Sequence, residues 1–196
     1  MKDKITNILM AGVGGQGIIM ASNMLSEALL AAGRDVKKSE VHGMAQRGGS
    51  VTSHVRFGRK VFSPLIRKGE VDILYSLELL ETLRYTDYLK KETVIILNDY
   101  RLNPPSVSLG AKTYPEGIPE LVRANFPRTT LIDGVGIARE VGNPKTVSTV
   151  ILGHLSLYID MPENTWADIM SDRLPSKILD VNLKAFHAGR EIKQVA

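Results

Sequence analysis

The stretch ITNILMAGVGGQGIIMASNMLSEALLAAG, residues 5–33, decides the fold. Ile5 to Ala11 is a short apolar run stopped by glycine, the signature of a buried strand. Gly12-Val13-Gly14-Gly15-Gln16-Gly17 follows, and then a helix from Ile18 to Ala32 with Gly33 as its stop signal. Ser22, Asn23, Ser26 and Glu27 fall on one narrow stripe of that helix, so most of its surface is expected to be covered by protein. Strand, glycine turn and helix in this order open an α/β fold with a parallel sheet.

Downstream segments extend the pattern. Asp35 to Val41 can form a second strand, and Ser50 to Phe57 alternates Val51, Ser53, Val55 and Phe57 with polar residues at period two. Gly58-Arg59-Lys60 then predicts a tight turn into Val61-Phe62, giving one hairpin in an otherwise parallel sheet. Asp72 to Leu77, Thr93 to Leu97 and Thr130 to Asp133 are further strands. Helices are expected over Glu78 to Leu89 and residues 117–125, with a loop at Asn103-Pro104-Pro105-Ser106. From Pro144 onward the pattern is helical: Thr146 to Ile159, Asn164 to Asp172 and Lys177 to Ile192, punctuated by Pro162 and Pro175. The expected architecture is a three-layer, Rossmann-like α/β domain over residues 1–143, with a C-terminal helical extension, 144–196, packed on the same domain.

Composition narrows the function. An apolar share of 43% supports a real core, and 196 residues fit one domain. The net charge of +4 is spread along the chain with no run of five like charges, which gives no support for a nucleic-acid partner. The chain has no cysteine, so thiolate-held iron–sulfur clusters, thiol nucleophiles, disulfides and Cys-type zinc sites are excluded. No apolar run reaches the roughly 20 residues of a membrane span, and the N-terminus has no signal-peptide layout. The expected setting is the cytoplasm, with which the absence of cysteine agrees.

Gly12, Gly14 and Gly17 satisfy G-x-G-x-x-G between a strand and a helix, and Glu40 stands where a Rossmann fold places a ribose ligand. Dinucleotide binding and plain tight strand–helix packing both fit that pattern. Ser39 to Val51, SEVHGMAQRGGSV, is dense in Gly, His, Gln and Arg, as suits a loop positioning donors against a charged partner. A flexible glycine turn with incidental polar residues is the plainer alternative. His42 and His54 lack a third ligand at a familiar spacing, which argues against a metal site.

These two motifs, GVGGQGI (Gly12 to Ile18) and SEVHGMAQRGGSVTSHVRFG (Ser39 to Gly58), resemble the small subunit of the indolepyruvate:ferredoxin oxidoreductases. More broadly, the sequence is similar to the gamma domain of the 2-oxoacid:ferredoxin oxidoreductases. The match in order and spacing runs through the first 60 residues or so; the later elements agree only in layout. The resemblance implies a heterodimer in which a large partner subunit holds thiamine diphosphate and iron–sulfur clusters. That enzyme decarboxylates an arylpyruvate, passes electrons to ferredoxin and gives the acyl group to coenzyme A. The small chain would then hold no cofactor and be inactive alone. Its implied site residues are Gly12, Gly14, Gly15, Gln16 and Gly17 in the turn, with His42, Gln46, Arg47, Gly48, Gly49 and Ser50 in the loop. They would shape the surface against the partner near its cofactor. Arg47, with its planar fork of donors, is the leading candidate for a phosphate of coenzyme A or thiamine diphosphate, oriented by Gln46 and His42. The competing readings are a free-standing NAD- or FAD-binding oxidoreductase and a phosphate-sensing module without chemistry.

Overall fold

The computed structural model describes residues 5–42 and 48–194. The chain runs β1 (Thr6–Val13), α1 (Ile18–Ala31), β2 (Asp35–His42), β3 (Ser50–Gly58), β4 (Val71–Ser76), α2 (Leu79–Arg84) and β5 (Leu89–Asn98). It continues with α3 (Pro105–Ser108), α4 (Ile118–Asn125), β6 (Thr129–Ile132), α5 (Gly134–Glu140), α6 (Val147–Ser156), α7 (Glu163–Arg173) and α8 (Ser176–Arg190). The six strands form one sheet in the order β2-β3-β1-β4-β5-β6. β1, β4, β5 and β6 are parallel, while β3 pairs antiparallel with both β1 and β2.

Side-chain alternation gives each face of the sheet its own core. Ile8 and Met10 of β1 and Val94 and Ile96 of β5 pack with α1 and with Ile151, Trp166 and Phe186 of the C-terminal helices. Leu9, Ala11, Ile95 and Leu97 face the other way, onto Leu79 and onto Ile118 and Val122 of α4. This is the expected three-layer α/β arrangement, one strand opposed to the rest.

Several details differ from the expectations. The hairpin is β2–β3, closed at the 43–49 connection. Val61 and Phe62 are not in a strand; the Val61 N–H donates to the Asp35 carboxylate at 2.8 Å instead of to a neighbouring strand. Ser22 and Ser26 do not face solvent but are buried, each hydroxyl satisfied by a carbonyl of its own helix (Ile19 and Ser22). The helix expected over Glu78 to Leu89 breaks at Tyr85 into a 3-10 turn, and β5 begins at Leu89. α5 was not foreseen, because Gly134 and Gly136 lower helix propensity. Its start is fixed by Asp133, whose carboxylate accepts from Gly136 N–H at 2.8 Å. The stop at Gly33 holds: its φ is +74°, and Gly33 and Arg34 donate to Leu30 and Leu29 carbonyls, a Schellman closure.

α6 and α8 cross at unusually close range through Gly153 and Gly189. A Cβ on Gly153 would lie 2.1 Å from the Phe186 carbonyl oxygen, and one on Gly189 would lie 1.9 Å from that of Val150. Both obstacles are backbone, so the helices must separate to admit a methyl group. Gly189→Ala should therefore destabilise the fold by about 1–3 kcal/mol, the usual cost of overpacking, although alanine favours helix. Urea denaturation measures it; an unchanged or raised midpoint would show that the crossing is looser than described.

Candidate functional site

The two sequence motifs meet because β3 lies beside β1. Val13 pairs with Ser50 and Gly12 with Val51, while Val51 pairs on its other side with His42. The glycine turn and the base of the 43–49 loop thus share one end of the sheet. Gly14 N–H donates to the Gly49 carbonyl at 2.8 Å, and Gly48 N–H to the Gly14 carbonyl at 3.4 Å.

Gln16 closes the turn. Its Oε1 accepts from Val13 N–H at 2.7 Å, and its Nε2 donates to the Leu77 carbonyl at 3.3 Å, just beyond β4. A Cβ on Gly12 would lie 2.9 Å from that same Oε1, so the hook requires glycine there. Gly17, the residue before α1, has φ +90° and would place a Cβ 2.6 Å from Ser148 Oγ; only glycine combines that conformation with that approach. The N–H groups of Val13, Gly14 and Gln16 are all engaged within the protein, Gln16 donating to the Val13 carbonyl at 3.0 Å. A turn that cradles a diphosphate needs such donors pointed at the ligand. Here they hold the turn to its neighbours.

Glu40 does not serve as a ribose ligand in this geometry. β3 intervenes between β1 and β2, so Glu40 stands two strand spacings, roughly 10 Å, from the strand that carries the turn. Its carboxylate is paired with Lys38 at 2.5 Å.

Of the loop residues, Gly48, Gly49 and Ser50 are described, Gly48 with φ +77°. His42 ends β2, and Gln46 and Arg47 lie outside the described residues. Ser50 leads to a group that the sequence reading missed. Its hydroxyl donates to Glu81 Oε2 at 2.5 Å, and Arg84 Nε donates to Glu81 Oε1 at 2.8 Å. Glu78 caps α2 by accepting from Glu81 N–H at 2.9 Å, and its other oxygen accepts from Leu102 N–H at 3.0 Å and Tyr114 OH at 2.5 Å. Glu78 is 1% exposed and Glu81 4%. Burial raises the Glu81 carboxyl above its usual range, against the opposing pull of Ser50 and Arg84. Burial and the neighbouring Glu78 raise the Tyr114 phenol. The signal in sequence was the Glu-x-x-Glu at the start of the helix expected from Glu78.

Three clefts flank this end of the sheet; one, of about 400 Å³, is lined by Val13, Gly14, Gly15, Gly17, Ile18 and Val51. A second, of about 480 Å³, is lined by Gly48, Ser50, Glu81, Arg84 and Leu109. The third, about 590 Å³, is lined by Gly15, Gln16, Asn98, Tyr100, Arg139 and Lys145. None joins a nucleophile to a base: the Gln16 and Asn98 amides and the Glu78 and Glu81 carboxylates already have partners. Among the described residues there is also no group of three His, Cys, Asp or Glu able to hold a metal ion.

Residues 7–192 match the pyruvate ferredoxin/flavodoxin oxidoreductase family. The chain belongs to that family. It is a small subunit of a 2-oxoacid:ferredoxin oxidoreductase. It is 39% identical over 188 residues to the indolepyruvate oxidoreductase subunit IorB of Thermococcus kodakarensis, covering 93% of each chain. The subunit of the same name from Archaeoglobus fulgidus is 41% identical over 189 residues, covering 93% of this chain and 92% of that one. The keto/oxoacid ferredoxin oxidoreductase gamma subunit of Geobacter sulfurreducens superposes with a TM-score of 0.70 at 25% identity, over 95% of this chain and 96% of that chain. The fold also recurs within the 2-oxoglutarate:ferredoxin oxidoreductase of Magnetococcus marinus, TM-score 0.74 at 23% identity, covering 99% of this chain and 32% of that longer one.

The hook predicts a structural role for Gln16. Gln16→Ala should cost about 1–3 kcal/mol, the penalty for leaving the Val13 N–H without its partner. A thermal or urea unfolding curve tests this. A variant as stable as the parent would free Gln16 for ligand contact.

Proposed function

We propose that the chain is the non-catalytic small subunit of a thiamine-diphosphate-dependent oxidoreductase for arylpyruvates, indolepyruvate among them, acting in the cytoplasm. The observation that carries the substrate class is the identity of about 40%, nearly end to end, with chains named as indolepyruvate oxidoreductase subunits. The reaction converts the 2-oxoacid anion, coenzyme A and two oxidised ferredoxins into acyl-CoA, carbon dioxide, two reduced ferredoxins and a proton. Thiamine diphosphate in the partner subunit would supply the decarboxylation chemistry, and iron–sulfur clusters there would supply the electron path. A chain without cysteine offers no thiolate for such a cluster, so the clusters belong to the large subunit of a heterodimer or dimer of heterodimers, to which the family resemblance also assigns thiamine diphosphate.

This chain's own part is to present a shaped surface. The turn Gly12–Gly17, stitched to Gly48 and Gly49, sets the backbone at the end of the sheet, and Glu81 holds Ser50 from beneath. We assign His42, Gln46 and Arg47, with Gly48–Ser50, to the face that meets the partner beside its cofactor and the phosphates of coenzyme A. We also take residues 144–196 as an extension of the 1–143 domain rather than a separate unit, since Ile151, Trp166 and Phe186 cover the apolar face of β1. The free-standing NAD- or FAD-dependent reading is not favoured: the Val13, Gly14 and Gln16 N–H groups are engaged internally, and Glu40 lies a strand too far away.

The purified small chain should neither oxidise indolepyruvate nor reduce a viologen dye, and activity should appear on adding the large subunit. Anaerobic dye-reduction assays of each chain alone and of the mixture make the test. Turnover by the small chain alone would overturn the proposal.

A further inference from the structure

At the opposite end of the sheet, residues 59–70 join β3 to β4 without helix or strand. The segment is nevertheless fixed at many points. Val61 and Ile66 are buried, at 2% and 4% exposure. Val61 N–H is held by Asp35 at 2.8 Å, and Ile66 N–H by His54 Nδ1 at 3.2 Å. Between them, one Arg56 nitrogen donates to the carbonyls of Ser63 (2.9 Å) and Leu65 (3.2 Å), while its Nε is held by Asn7 at 2.8 Å. The result is a rigid bracket, Phe62-Ser63-Pro64-Leu65, standing between two buried pegs.

What the bracket displays is apolar. Phe62 is 83% exposed and Leu65 55%. Burying aromatic surface is worth about 25 cal/mol per Å², so a fold free to choose would have turned Phe62 inward rather than Val61. An aromatic side chain presented on a pre-ordered backbone loses little further freedom on binding, which is the property of an interface hot spot. Its surroundings are positive. No Asp or Glu occurs between Glu40 and Glu70, a stretch containing six Lys and Arg. Lys60 and Arg67 are exposed beside the bracket, with the Asp35 carboxylate on its inner side, and the Lys60 ammonium lies 5.4 Å from the Phe62 ring centroid. Lys68 is paired with Asp87 at 2.9 Å.

We propose that the Phe62–Leu65 bracket is a docking knob for the large, cluster-bearing partner subunit, received in an apolar socket rimmed by carboxylates. This rests on the subunit reading above and adds a second contact region, remote from the glycine turn. The permanent partner is favoured over a transient one because a rigid aromatic knob left in water invites aggregation unless it is covered throughout the life of the chain. A second copy of the same chain would bring a like-charged rim against this one.

The test reconstitutes the full-length chain with the large subunit and measures their dissociation constant by calorimetry or sedimentation. Phe62→Ser should weaken association at least thirtyfold, about 2 kcal/mol at 1.4 kcal/mol per tenfold, while its unfolding curve matches the parent's. The double variant Lys60→Glu, Arg67→Glu should weaken it at low salt and approach the parent at about 1 M salt, where charges are screened within roughly 3 Å. Wild-type affinity in both variants would overturn the inference and leave the subunit reading intact. So would unchanged assembly with a raised KM for ferredoxin, or a dimer of the small chain that Phe62→Ser dissolves. If the parent chain itself does not bind the large subunit, both the subunit reading and this inference fall.

Discussion

One amide side chain holds the end of the sheet together. Gln16 ties the end of β1 to the residue after β4 through Val13 N–H and the Leu77 carbonyl, at the point where strand order reverses about β1. In an open α/β sheet the strands diverge there and leave a crevice for a ligand. Here the hook narrows the gap, and the glycines are what permit it: Gly12 makes room for the amide, and Gly17 lets α1 start against Ser148. In a motif shared with nucleotide-binding turns, the Val13, Gly14 and Gln16 amides are here given over to fixing backbone.

The insertion of β3 gives that rigidity a purpose. Because β3 pairs with β1 on one side and β2 on the other, it delivers Gly48, Gly49 and Ser50 to the edge of the turn. Ser50 in turn rests on Glu81, whose burial is sustained by Arg84 and by the α2 N-terminus that Glu78 caps. Removing either partner from such a buried set leaves a charge or a donor uncompensated, so the set resists deformation when another protein presses on the loop. Rigidity at both ends of the sheet, the hooked turn at one and the braced Phe62 segment at the other, suits a chain that contributes shape to a larger enzyme.

Local chemistry was readable in the sequence; long-range pairing was not. Strand, turn, α1 and the Gly33 stop follow from residues close together in the chain, and they stand within a residue or so of where the pattern put them. The period-two run at Ser50–Phe57 identified a strand but could not say that its partners are β1 and β2, and Gly58 offered a turn that the structure does not use for a hairpin. Ser22 and Ser26 misled because a serine can satisfy itself on its own helix and be buried like an alanine. The buried roles of Glu78 and Glu81 were not legible because their partners, Tyr114 and Ser50, are more than thirty residues away. Gly12, Gly14, Gly15, Gln16 and Gly17 read as a turn between strand and helix; Gly12 instead lies within β1, and whether the turn is a hook or a cradle depends on the long-range bond from Gln16 to the Leu77 carbonyl.

The central proposal is that the turn, with its Val13, Gly14 and Gln16 donors engaged internally, and the loop base form a docking surface and not a nucleotide site. Backbone hydrogen–deuterium exchange, resolved along the chain, tests it most directly. Adding the large subunit should slow exchange at residues 14–20 and 48–52, whereas saturating NAD or FAD should leave both segments unchanged. Slowing by a dinucleotide with no effect of the large subunit would contradict the account.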